Sequence, residues 1–150
     1  MRAAIIGDAY YRDNDECFAW VGRENWTYSR DFELKEEHTR NRRILLVAHG
    51  IDTVATVYVN GVPVGNTDNM FVRYVFDIKQ HIKVGHNNIS VEFTSAVAYA
   101  REQTRAYNRA IPPECPPQRQ RGECGVNRLR KSQSSFSWEM APSFPTQGIW

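Results

Sequence analysis

Asn60-Gly61, set between the β-branched run Thr53-Val54-Ala55-Thr56-Val57-Tyr58-Val59 and the segment Val62-Pro63-Val64, constrains this chain more than any other feature. A type I′ turn needs positive φ at both central residues. Asn tolerates that conformation and Gly adopts it freely, so the pair predicts an antiparallel hairpin. Pro63 has no N–H to give to a ladder, which places the return strand at a sheet edge or ends it early. Trp26, Tyr28, Phe32 and Leu34 sit on alternating positions among polar residues, as a half-buried strand requires. Residues 42–48 are more continuously apolar and read as a strand buried on both faces. Residues 71–78 and 88–93 predict two further strands, with Val84-Gly85-His86-Asn87 as the turn between them.

Strands recurring every ~10–15 residues with tight turns predict an all-β sandwich. Residues 96–109 interrupt the rhythm: Ala96, Val97, Ala98, Ala100 and Ala106 favour one short helix. Residues 111–124 are Pro-rich, framed by Cys115 and Cys124, and read as a loop. The predicted organisation is an irregular lead-in over residues 1–25 and a sandwich over 26–150. With 41% hydrophobic and 24% charged residues, the composition is that of a folded domain rather than a disordered tail. A net charge of +2 lacks the basic excess of a nucleic-acid binder. No apolar run approaches the ~20 residues that cross a bilayer, so neither nucleic acid nor membrane is an expected partner. The apolar stretch Ala3 to Ile6 is shorter than the roughly 7–15 residues of a secretory signal, and the chain closes on Ile149-Trp150. Both ends therefore read as cuts through a longer protein.

Cys115 and Cys124 bracket a short polar, Pro-rich loop. Crosslinking it would stabilise the fold by about 2.5–3 kcal/mol in the chain-entropy model. Two free thiols are the competing reading. A zinc site is weaker, because no His follows at ligand spacing. Cys17 is then the odd thiol. Asn25-Trp26-Thr27 and Asn88-Ile89-Ser90 fit the N-glycosylation sequon and lean, with the Cys pair, towards an oxidising secretory compartment. Arg101, Arg105 and Arg109, spaced by four, would line one helical face. With Arg119, Arg121, Arg128, Arg130 and Lys131 they could bind phosphate, although a solvated face is the preferred explanation, since only Tyr99 and Tyr107 interleave with them. The four histidines (His38, His49, His81 and His86) are scattered and have no partnered nucleophile. No Gly-rich phosphate loop or metal-ligand spacing occurs, so no cofactor and no metal is expected. Trp138 beside Glu139 suits a sugar, the ring packing on C–H groups while the carboxylate accepts hydroxyl hydrogen bonds; core packing of Trp138 is the alternative.

The segment Ser135-Phe136-Ser137-Trp138-Glu139-Met140-Ala141-Pro142-Ser143-Phe144-Pro145-Thr146-Gln147-Gly148-Ile149-Trp150 closely resembles the Trp-Asp-Trp-Gly-Pro…Gly-Ile-Trp segment of the β-mannosidases of glycoside hydrolase family 2. The likeness extends through Tyr10-Tyr11-Arg12-Asp13-Asn14, Trp26-Thr27-Tyr28, Val59-Asn60-Gly61, Thr67-Asp68-Asn69-Met70-Phe71 and Pro112-Pro113-Glu114-Cys115-Pro116-Pro117. The Cys-framed loop makes it most similar to the animal lysosomal members.

This resemblance implies a jelly-roll, galactose-binding-like β-sandwich with one short helix and a Pro-rich loop closed by Cys115–Cys124. It also implies a lysosomal destination. The family's catalytic barrel would lie outside these residues, and with it the two glutamates of retaining hydrolysis, which needs two carboxyl groups roughly 5 Å apart. No catalytic residue is therefore expected in this chain. The resemblance gives Trp138, Glu139 and Met140 the role of holding the terminal sugar of a mannose-terminated oligosaccharide, in partnership with the remaining domains of the same enzyme. Here Asp is replaced by Glu, Trp by Met and Gly by Ala. The extra methylene of Glu139 displaces a carboxylate by about 1 Å, a misplacement that can cost ~10²-fold in rate. Met140 keeps apolar bulk without a rigid aromatic face. A free-standing carbohydrate-binding module and an inactive truncated product are the competing functional readings.

Overall fold

In the computed structural model, residues 6–9, 11–107, 109, 111, 115, 123–132, 136 and 145–150 are described. Contacts group the chain into two units, Asn25–Thr94 with Gln147–Trp150 and Met1–Glu24 with Ser95–Thr146.

The strands belong to the first of these. Asn60 (φ 51°) and Gly61 (φ 79°) both adopt positive φ, as the type I′ reading requires. They join β4 (Ala55–Val59) to β5 (Val62–Thr67). β5 lies at the edge of a four-stranded antiparallel sheet ordered β1-β7-β4-β5, where β1 is Trp26–Leu34 and β7 is Gly85–Phe93. Pro63 thus occupies the edge that its missing donor allows, opposite Tyr58 and beside the register shift between Val57 and Tyr58. The long β1–β7 ladder runs from Trp26↔Phe93 to Leu34↔Gly85. Its inward positions put Tyr28 against Phe93 edge to face, with centroids 5.5 Å apart. A core of Ala48, Ile51, Ala55, Val57, Val91 and Phe93 forms on that face, with Leu46, Val64 and Phe76 packed against it.

Three expectations change. The strand expected over 42–48 is β2 (Leu45–Ala48), and it pairs with β6 (Tyr74–Asp77) in a two-stranded ribbon. Leu45 and Val47 remain 44% and 43% exposed, because only Leu46 and Ala48 point to the core. The strand expected over 71–78 shortens to β6, leaving Phe71 exposed. Val84-Gly85-His86-Asn87 does not form the turn as a unit, since β7 already begins at Gly85 (φ 84°). Asn87 explains the early start. Its fully buried side chain accepts from Lys83 N (2.9 Å) and Asn60 Nδ2 (2.9 Å), and donates to Lys83 O and Gly85 O (both 2.8 Å). These bonds hold the chain on the sheet where local turn chemistry alone would have released it.

The last strand, β8 (Gly148–Ile149), pairs with β3 (Ile51–Asp52). Gly50 and Trp150 exchange backbone hydrogen bonds of 2.7 and 3.0 Å. The Trp150 ring lies so close to Gly50 that a Cβ there would stand 2.7 Å from Cζ2. No larger residue fits.

The second unit contains one-turn helix α1 (Asn14–Cys17), a 3₁₀ turn over Ala19–Arg23, helix α3 (Ala96–Ala106) and a 3₁₀ turn over Val126–Arg128. A further one-turn helix, α2 (Glu36–Thr39), belongs to the strand-bearing unit. Ser95 caps α3, accepting from Ala98 N at 3.3 Å, and donates to Gly22 O at 2.9 Å. α3 ends at Ala106, three residues before the end expected from its alanines. Ala96, Ala100, Leu129 and Phe136 form this unit's core, with Tyr99 and Val126 against it. Cys115 and Cys124 are disulfide-bonded, and Cys17 is a free, exposed thiol.

Candidate functional site

Trp138, Glu139 and Met140 lie outside the described residues. The residues that flank residues 137–144, however, are described, and both flanks are held within one unit. On one side Phe136 is 2% exposed in the core with Ala96, Ala100 and Leu129. On the other, Pro145 is fully buried against Gly22, where a Cβ would lie 2.8 Å from the Pro145 nitrogen. The next carbonyl, Thr146 O, accepts from Lys131 Nζ at 2.7 Å. Lys131 is only 5% exposed, so its ammonium sits where little water can compete for it.

Neither Gly22 nor Lys131 is identifiable from the sequence. Gly22 contacts a proline 123 positions away, and Lys131 stands in a basic run that reads as solvated.

The two sequons differ in their surroundings. Asn25 is exposed and immediately precedes β1. Asn88 lies within β7, and its Nδ2 donates to Ser29 Oγ (2.9 Å) and Asp31 Oδ1 (2.8 Å) on β1. Both amide hydrogens are engaged, so a glycan on that nitrogen would cost the pair of cross-strand bonds.

In the strand-bearing unit a groove of about 460 Å³ runs between the inward faces of β1, β7 and β2. It is lined by Tyr28, Leu46, Val91, Ile149 and Trp150, with Arg30 and His49 as its charged or titratable members. No carboxylate appears in that lining among the described residues, so the groove holds no pair of carboxyl groups of the kind glycoside hydrolysis uses. Among the described residues one titration is displaced. The Tyr58 phenol on β4 is held above its ordinary value, first by desolvation and then by the Glu92 carboxylate on the neighbouring strand β7. It lies on the polar outer face of the sheet, away from the groove. Among the described residues no group of three or more His, Cys, Asp or Glu could hold a metal ion, and no helix is long and apolar enough to cross a membrane.

Of the basic residues, Arg101, Arg105 and Arg128 come together beside the disulfide, whereas Arg109 contributes its carbonyl to Arg128 and Arg119 and Arg121 lie outside the described residues.

Comparison with known proteins matches residues 1–150 to the family described as "Glycosyl hydrolase 2 galactose-binding domain-like". Among curated relatives, the chain is 47% identical over 147 residues to the rat (Rattus norvegicus) beta-mannosidase and 49% identical over the same length to the goat (Capra hircus) protein of that name. Each alignment covers 97% of this chain and 17% of the relative. Among solved structures, the beta-D-mannosidase from Dictyoglomus thermophilum superposes with a TM-score of 0.79 at 32% identity, over 97% of this chain and 17% of that one. The chain thus spans about one sixth of the length of the proteins it resembles. Strands in antiparallel sheets, few helices and a match from end to end agree: the chain belongs to the galactose-binding-like domain family of glycosyl hydrolase 2 proteins.

Proposed function

We propose that this chain works as the amino-terminal domain of a longer β-mannosidase, a retaining glycoside hydrolase that releases terminal β-D-mannose from oligosaccharides. The observation that carries the reading is the 47–49% identity to animal proteins named beta-mannosidase over 97% of the chain. On this reading residues 1–25 lead into a sugar-binding-type domain over 26–150. The two hydrolytic carboxylates belong to a barrel supplied by the remaining length of the enzyme. Trp138, Glu139 and Met140 contribute to the subsite for the terminal sugar.

The tethering of Phe136, Pro145 and Thr146 supports that role. A segment that must present a ring and a carboxylate to a substrate within a fraction of an ångström needs fixed ends. The animal relatives and the disulfide support a lysosomal, glycosylated enzyme, with Asn25 as the better acceptor. The test is kinetic. In the enzyme extended through its barrel, Trp138→Ala should raise KM for an aryl β-mannoside about tenfold, the loss of one sugar–ring contact. Unchanged kcat and KM would remove Trp138 from the subsite.

A further inference from the structure

Helix α3 and the turn after the disulfide together build a small pocket that the proposed glycosidase role does not use. Its volume is about 230 Å³, and its lining includes Arg101, Thr104 and Arg105 from α3, the Cys115–Cys124 bridge, and Arg128 from the 3₁₀ turn. Positions 101, 104 and 105 fall on one helical face by their i, i+3, i+4 spacing. The opposing wall is brought close by Gly125 (φ 82°), whose missing Cβ would stand 3.1 Å from Ala100 Cβ. Arg128 is oriented within that wall. Its Nη2 donates to Arg109 O at 2.8 Å, and its guanidinium lies 5.2 Å over the Tyr107 ring.

The electrostatics are one-sided. Three guanidinium groups line the pocket and no carboxylate does, among the described residues. The ion pairs and hydrogen bonds of the described residues include none from the Arg101 or Arg105 side chain. Arg105 also stands in the last turn of α3, where a cation complements the carbonyl end of the helix. That accounts for one arginine and not for Arg101, a full turn earlier, nor for Arg128 on a separate element. Like charges gathered around a concavity repel one another until an anion enters, and planar guanidinium forks match the oxygens of a tetrahedral oxyanion.

We propose that Arg101, Arg105 and Arg128 form an oxyanion-binding pocket that takes a phosphate or sulfate group, either as the free ion or as the head of an ester.

Calorimetric titration of the 150-residue chain with inorganic phosphate, inorganic sulfate and phenyl phosphate tests this, with phenol as the uncharged control. The expected result is saturable binding of at least one anion that weakens as salt is raised. It should also weaken about tenfold or more in Arg101→Gln/Arg105→Gln, with circular dichroism confirming the fold. Arg40→Gln, which removes an exposed pair with Glu36 elsewhere on the chain, should leave it unchanged. Tighter binding of phenyl phosphate than of phosphate would assign the pocket to an ester, and equal binding to the free ion. No saturable heat with any of the three anions, or equal binding by the double variant, would overturn the proposal and leave a solvated helix face. A double variant that loses stability but keeps its affinity would do the same, since that is the signature of a helix-end role alone.

Discussion

Asn87 and Gly22 place most of their meaning in contacts far from their sequence neighbours. Asn87 is completely enclosed and satisfies two donors and two acceptors, three of them from Lys83 and Gly85 and the fourth from the turn residue Asn60. Asn87→Ala would leave several buried polar groups without partners, and should lower stability by about 2–4 kcal/mol in urea unfolding. Gly22→Ala would push a methyl group into the backbone of Pro145, a clash that a flexible side chain cannot relieve. The expected loss is about 1–3 kcal/mol, seen as a lower unfolding midpoint at unchanged m-value. A neutral result at either position would contradict the packing described. Neither role was legible in the sequence. Asn87 reads locally as a turn residue, and the partner of Gly22 lies too far along the chain for any periodicity to reveal. The Asn60-Gly61 turn was legible because its requirement, positive φ at two adjacent positions, is one that Asn tolerates and Gly adopts freely.

Among elements, β1 and the β4–β5 hairpin were the readable ones. Their alternating apolar positions match a sheet with one covered face. β2 was misread because a run of apolar residues suggests two buried faces, while the ribbon it forms with β6 covers only one. Which face is covered depends on what packs above a strand, and that is not written in the strand. The Cys-framed loop was legible as a closed element, and its closure gives a direct test. Nine positions separate Cys115 from Cys124, a loop whose crosslink contributes about 2.5–3 kcal/mol by restricting the unfolded chain. Reduction, or Cys115→Ser/Cys124→Ser, should lower stability by that amount. No change in unfolding midpoint would mean that the bridge constrains nothing the fold does not already hold. Arg101, Arg105 and Arg128 show the complementary case. Their charges were evident, but only the turn at Gly125 brings the two elements together.

For the whole molecule, the decisive fact is that the chain spans about one sixth of the length of the relatives it matches, and the proposed function assigns the hydrolytic chemistry to the remainder. The domain family was legible in residues 135–150 and in short stretches back to Tyr10, which carry the resemblance together where any one alone would not. Sites assembled by tethering, such as Phe136 in its core and Thr146 on Lys131, were not, because burial of a lysine is a property of the fold. The groove between β1, β7 and β2 likewise offers mostly apolar walls and no carboxylate pair among the described residues. The most direct measurement is turnover of an aryl β-mannoside by purified residues 1–150 beside the same chain extended through its barrel. The extended enzyme should hydrolyse the substrate and residues 1–150 should not. Turnover by residues 1–150 alone would contradict the assignment of the hydrolytic carboxylates to another domain.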